Sequence, residues 1–204
     1  MEQEGASELT RVSQGDPKEL LIHWLKVLYF ARIGNLAVMV LSPFQLPFRI
    51  TSWVSFGITA ASIAALYTLG RLQKGYAKAS VMYGISLAGN MLAQITGTSL
   101  ITTVTGFCGI IASYQEYHAH AELVKDFIPE LMGKWTSLFY WEIVVGIVGG
   151  FVSMAGVMLG VAAGMKEKLV VGLIVALVVL MEIPLRLMYL RYMSRMRSFF
   201  AKAS

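Results

Sequence analysis

The sequence predicts an all-α, polytopic membrane bundle of six transmembrane helices with both chain ends on the cytoplasmic side. Hydrophobic residues make up 56% of the 204 residues and charged residues only 14%, whereas soluble domains carry about 25% charged residues. Apolar stretches of roughly 17–25 residues, the length that crosses a bilayer, recur along the chain. Lysine and arginine favour the cytoplasmic side, and they collect in alternate connecting segments.

Six apolar stretches account for the predicted spans. They run over Leu21–Leu41, Ile50–Leu69, Ala79–Thr96, Thr98–Tyr114, Trp135–Ala163 and Leu169–Tyr192. The chain therefore divides into a polar cytoplasmic segment (1–20), a transmembrane domain (21–192) and a basic amphipathic cytoplasmic tail (193–204). No basic region followed by a short apolar core opens the chain, so we expect the first span to remain as an anchor.

Local signals predict where the helices begin and end. Asp16 suits an N-cap, Pro17 the first helical position and Glu19 the capping-box position, so a helix is expected from Pro17. The expected breaks that follow are Pro43 with Pro47, Gly70-Arg71 with Gly75, Pro129, and the segment from Gly164 to Lys168.

The segment Ala79–Tyr114 leaves the number of spans open. As one helix it would extend roughly 50 Å, well beyond a bilayer core of about 30 Å. A break at Gly97-Thr98-Ser99 gives two short spans, whereas a span followed by a long interfacial helix gives five spans. Five spans would separate the basic C-terminus from the basic loop Arg71–Lys78, so the positive-inside rule favours six.

A layer of polar side chains within the spans is the main functional signal. Arg32, Asn90, Glu142 and Glu182 each lie about two helical turns from an aromatic residue at the inner interface, and Asn35 lies a turn deeper. A charge at membrane depth costs several kcal/mol unless it is paired or hydrated. The layer predicts either a substrate, ion or proton site, or a structural clamp in which Arg32 pairs with Glu142 or Glu182 and Asn90 bridges helices. Glu182 and Arg186 are also i,i+4 partners on either side of Pro184.

Histidines and carboxylates near the end of the fourth span suggest a possible divalent-metal site. On a helix His118, Glu122 and Asp126 share one face, Glu116 and His120 lie nearly opposite, and His23 of the first span is at a matching level. Imidazole and carboxylate together suit zinc or another transition ion. A pH-sensitive rim and a solvated, salt-bridged interfacial helix are the alternatives.

Two further patterns concern partners. Arginines alternate with apolar residues from Arg186 to Lys202, which is typical of a helix end that lies on anionic lipid headgroups; a soluble partner is the alternative. Glycines at 146, 150, 156, 160 and 164 allow close helix packing, within one subunit or at a homo-oligomer interface, or give a flexible transport helix. A membrane-protein partner is also an open alternative. Topology explains the basic residues, so nucleic acid is not expected as a partner.

The function expected from these patterns is that of a small transporter or channel subunit in a bacterial plasma membrane. The sequence contains no GxxxxGK[ST], GxSxG, CxxC or HExxH motif, which argues against an enzyme. The alternatives are a non-catalytic accessory, immunity or regulatory membrane protein, and a metal-assisted membrane enzyme. The plan resembles the substrate-binding subunits of energy-coupling-factor vitamin transporters. Those subunits bind substrate toward the outer face, so no residue role is transferred from them.

Overall fold

A computed structural model describes residues 17–41, 48–162 and 166–202, and these form helices joined by short connections. The helices are α1 (Pro17–Leu41), α2 (Phe48–Leu69), α3 (Lys74–Thr96), α4 (Ser99–Val124), α5 (Pro129–Ala162) and α6 (Glu167–Lys202). The described ranges contain no β-strand. The fold class is thus confirmed as all-helical. Asp16, Pro43, Pro47 and Gly164, which carried boundary predictions, lie outside the described residues.

The predicted helix boundaries that can be checked agree with the structure. α5 begins at Pro129, since proline has no backbone N–H to satisfy and suits a first helical position. Pro17 is the first described residue and is helical, so the start of α1 at that residue stays a prediction. Gly97 ends α3 in the left-handed region, with φ 67°, and its N–H donates to the Ala93 carbonyl at 2.8 Å. The break between α3 and α4 is confirmed, and a single helix through this segment is wrong.

A tight turn between α2 and α3 depends on Gly70. A Cβ atom at this position would lie 2.7 Å from the Ala77 Cβ, closer than side chains approach one another. The next helix is capped by Gln73, whose side chain accepts a hydrogen bond from the Gly75 N–H. The short connection therefore folds α3 back against α2.

The helices form a closed ring. Each packs against its neighbours in chain order, and α6 returns to pack against α1. α5 and α6 approach closely at Gly156 and Gly160, because glycine has no side chain. A Cβ at Gly160 would lie 2.4 Å from Val170, and one at Gly156 would lie 2.8 Å from Ile174. This part of the glycine stripe serves packing within the subunit.

The packed core is concentrated at one end of the ring. Its buried side chains come from α1, the end of α2, the start of α3, the end of α4, the start of α5 and the end of α6; among the largest are Leu25, Leu66, Tyr76, Leu131, Trp135 and Met193. Toward the other end apolar side chains such as Phe107, Phe151 and Leu173 are exposed. Such a large apolar surface is typical of membrane contact.

Three helices in the described part of the chain are long and apolar enough to cross a membrane. They are Pro17–Leu41, Pro129–Gly160 and Leu169–Lys202, and a shorter apolar helix covers Trp53–Leu69. These features support a membrane protein. The six-span arrangement and its orientation stay predictions.

The predicted tail is the continuation of α6. The helix runs without a break to Lys202, and Met193, Met196 and Phe200 are buried in the core. The Arg197 guanidinium lies 4.8 Å from the centre of the Tyr29 ring in α1. The apolar side of the tail therefore packs on the bundle, and headgroup contact stays a prediction for its exposed cations.

Candidate functional site

A buried ion pair joins α1 to α4. Arg32 pairs through Nη2 with Glu116 Oε2, and the Glu116 side chain is only 1% exposed against 15% for Arg32. The Tyr83 hydroxyl donates to Glu116 Oε2 at 2.9 Å, and the Tyr189 hydroxyl donates to Oε1 at 2.5 Å. The carboxylate thus receives donors from α1, α3 and α6, which compensates the loss of hydration on burial.

His120 extends this arrangement one turn further along α4. Its Nδ1 lies 2.7 Å from the Tyr76 hydroxyl and its Nε2 lies 3.0 Å from the Tyr189 hydroxyl. Because Tyr189 already uses its proton on Glu116, Nε2 must be the donor to Tyr189, and Nδ1 then accepts from Tyr76. The hydrogen bonds therefore fit a neutral imidazole protonated at Nε2. We call Arg32, Tyr76, Tyr83, Glu116, His120 and Tyr189 the charge cluster.

Aromatic rings enclose the charge cluster. The Arg32 guanidinium lies 5.5 Å from the ring centre of Tyr83 and 5.4 Å from that of Tyr189. The His120 ring packs against Trp135 of α5, with ring centres 4.5 Å apart. Cation–π contacts of this kind contribute more when the cation is desolvated. Five of the six helices thus meet at the charge cluster.

The predicted pairing of Arg32 with Glu142 or Glu182 is wrong. Arg32 pairs with Glu116, while Arg186 of α6 binds Glu142 at 3.1 Å and Glu182 at 3.6 Å. Distance from an interface gives the height of a residue along its helix but not the direction in which its side chain points. The pair of Arg186 with Glu182, one turn away, agrees with the i,i+4 prediction, and Arg186 also reaches Glu142 on α5.

The interpretation of the end of α4 as a solvated helix also needs correction. Glu116 and His120 are both 0% exposed, whereas His118 between them is exposed and stacks on Tyr114. α4 continues to Val124 and packs against its neighbours, so one face of this segment lies inside the bundle. The two histidines therefore do not form one solvent-facing rim.

A cavity of about 560 Å³ lies beside the charge cluster. Its polar lining comes from Arg32, Tyr83, Ser113, Glu142, Glu182 and Arg186. Its apolar lining includes Phe139, Ile110, Ile143, Ile147 and Leu185, and Gly106, Gly109 and Gly146 leave room between the helices. We call this space the bundle cavity. Three of the five predicted site residues, Arg32, Glu142 and Glu182, thus face a single space.

Two polar atoms of the cavity-lining residues are unsatisfied. Glu142 Oε2 and Arg32 Nε are both buried and have no hydrogen-bond partner among the described residues. Most buried polar atoms in folded proteins are hydrogen-bonded, so each exception requires an explanation. Both atoms have almost no accessible surface, so they lie within the wall of the bundle cavity and do not open onto it.

The two predicted asparagines do not join this site. Asn90 accepts a hydrogen bond from the Thr105 hydroxyl at 2.8 Å, which links α3 to α4, and its side chain is otherwise exposed. Asn35 is partly buried in α1. Neither is among the residues that line the bundle cavity.

The predicted metal ligands are His118, Glu122, Asp126 and His23. Within the described ranges, no group of three or more His, Cys, Asp or Glu side chains is arranged to hold a metal ion. Glu122 instead lies 3.8 Å from Lys125, in a pair that is partly exposed. The metal hypothesis gains no support from the structure and stays a prediction.

Sequence reasoning missed Glu116 and Ser113 as parts of the site, used Tyr83 only as a depth marker, and identified Arg186 only as the i,i+4 partner of Glu182. A signal for Glu116 and His120 was present, because the two share one helix face opposite His118. Comparison with protein-family profiles, with curated proteins and with solved structures finds no significant match. The interpretation of the site therefore depends on its geometry.

Proposed function

We propose that this protein is a membrane transporter of six spans that binds a small solute in the bundle cavity. The observation that carries the proposal is the cavity itself. Its volume of about 560 Å³ falls within the roughly 300–1,000 Å³ of ligand pockets. It combines an apolar wall with a few convergent polar groups, as such pockets do. Charges that face the interior of a membrane bundle commonly mark substrate or ion pathways.

The distribution of charge supports an orientation with both ends in the cytoplasm. Beside the packed core, Arg71 and Lys125 lie in the connections and Lys74 and Lys78 in the first turns of α3, and α6 ends there with further arginines. Positive residues favour the cytoplasmic side, so we place the packed core at that side. The hairpin of α3 and α4 then crosses the membrane twice, in a bacterial plasma membrane.

Uptake by proteoliposomes tests the transport function. Vesicles containing the purified protein are incubated with a small-molecule extract of bacterial cells, washed, and analysed by mass spectrometry for solutes that accumulate. We expect at least one solute to accumulate in vesicles with protein and not in empty vesicles. No protein-dependent accumulation would contradict transport and favour the accessory role.

Matched glycine variants connect uptake to the cavity. A Cβ at Gly146 or at Gly106 would meet no atom within 4 Å in the described structure, and both residues line the cavity. Gly146→Leu or Gly106→Leu should therefore fill the cavity and abolish uptake. Gly150 lies one turn from Gly146, is equally uncrowded and does not line the cavity. Gly150→Leu should leave uptake unchanged, and equal loss in all three variants would dissociate transport from the cavity.

A further inference from the structure

We infer that the solute is a small organic cation, an ammonium group on an apolar or aromatic body, and this inference rests on the proposed function of the bundle cavity. The charges of the cavity and the charge cluster are unequal in number. Three carboxylates, Glu116, Glu142 and Glu182, face two guanidiniums, Arg32 and Arg186. One negative charge is left uncompensated. Because an unpaired charge inside a bundle is costly, a monovalent cation is the ligand that brings the site to neutrality.

The excess negative charge lies at the wall of the cavity. The Glu116 side chain is buried and pairs with Arg32, which compensates that carboxylate within the charge cluster. The two remaining carboxylates share Arg186, at 3.1 Å for Glu142 and 3.6 Å for Glu182. Both of them line the cavity. A cation in the cavity can therefore contact two carboxylates that have only one guanidinium between them.

Glu142 and Glu182 together provide the attachment point. Arg186 binds Oε1 of Glu142 and Oε2 of Glu182, and the two carboxylate side chains remain 21% and 34% exposed at the cavity wall. An ammonium group is the donor that can share these carboxylates with Arg186 and supplies the missing charge at the same time. The two carboxylates are thus held by Arg186 and remain accessible from the cavity.

The remaining lining selects the body of the ligand. Phe139, Ile143 and Ile147 of α5 and Ile110 of α4 form an apolar wall beside the carboxylates. A fully hydrated inorganic cation would leave this wall in contact with water, whereas an alkyl or aryl group covers it. The cavity therefore fits an amine with an apolar side group better than a bare metal ion.

Three probes with the same aryl group separate charge from hydrophobicity. Binding of 2-phenylethylammonium, 3-phenylpropionate and 2-phenylethanol to the full chain in lipid nanodiscs is measured by equilibrium dialysis, with the Gly146→Leu variant as a correction for partition into lipid. We expect saturable binding of the ammonium probe, at least tenfold tighter than that of the other two. Preferred binding of the carboxylate, equal binding of all three, or no saturable binding would each overturn the inference.

Charge variants locate the contact. Glu142→Gln should weaken binding of the ammonium probe at least tenfold. The control, Glu130→Gln, removes a carboxylate of the same helix that pairs with Arg195 and lies outside the cavity, and it should leave binding unchanged. Unchanged binding in Glu142→Gln would overturn the assignment. Accumulation of an anion by the proteoliposomes would contradict the cation inference and leave the transport proposal intact. Ammonium binding without any uptake would contradict transport and leave the cation inference intact.

Discussion

Removal of the charge at Glu116 should cause the largest loss of stability of any single isosteric change in this bundle. Glu116→Gln keeps the shape of the side chain but leaves the Arg32 guanidinium, 15% exposed, without its counter-charge. The new amide would also present an N–H group to the donors that now surround the carboxylate, from Tyr83 and Tyr189.

The expected magnitude follows from the burial of the pair. Breaking a buried ion pair by removal of one partner costs about 3–5 kcal/mol. For a chain of this size, each kcal/mol shifts the midpoint of thermal unfolding by roughly 2–4 °C, so Glu116→Gln should lower it by roughly 6–20 °C. Glu142→Gln breaks a pair with Arg186, which is 35% exposed and keeps Glu182 as a second partner. Because this change also removes the carboxylate in excess of the two guanidiniums, its cost should be about 1 kcal/mol or less.

Heating of detergent-solubilised protein, followed by size-exclusion chromatography of the fraction that remains folded, measures both variants. A double-mutant cycle then identifies the partner. Arg32→Gln combined with Glu116→Gln should recover part of the loss, with a coupling of about 0.5–3 kcal/mol. The coupling between Arg32→Gln and Glu142→Gln should be smaller. A midpoint within about 2 °C of the wild type for Glu116→Gln, or stronger coupling of Arg32 to Glu142, would refute the reasoning.

Two further stability predictions follow from packing and from hydrogen bonding, and the same thermal assay measures both. Gly160→Ala should destabilise the protein, because its new methyl group would overlap an α6 side chain at 2.4 Å. The control, Gly150→Ala, places its methyl group in open space and should be neutral or stabilising. Equal effects of the two variants would exclude close packing at Gly160. His120→Phe should lower the free energy of unfolding by about 1–3 kcal/mol, because it leaves the buried Tyr76 hydroxyl without an acceptor. The control, His118→Phe, is at an exposed position and should change the stability little. A larger loss in His118→Phe than in His120→Phe would contradict the assigned burial.

The sequence alone determined the class of fold and the limits of several helices. Composition favours a membrane protein over a soluble domain, because so few charged residues would cover little of a water-exposed surface. Pro129 and Gly97 set boundaries through local backbone chemistry, since proline has no N–H and glycine tolerates positive φ. Such signals depend only on neighbours along the chain, which is why they can be read before the structure is known.

The tertiary structure decided which polar groups meet. Arg32, Glu142 and Glu182 were recognisable as costly residues in apolar stretches, and all three line the bundle cavity. That Arg32 binds Glu116, and that Arg186 holds the other two carboxylates, depends on how each helix is rotated about its axis. That rotation is set by side chains packed between helices distant in sequence, and hydrophobic periodicity is weak where lipid and core are both apolar. The sequence therefore identifies the charged residues within the apolar stretches, and only the packing of the helices decides which of them form ion pairs.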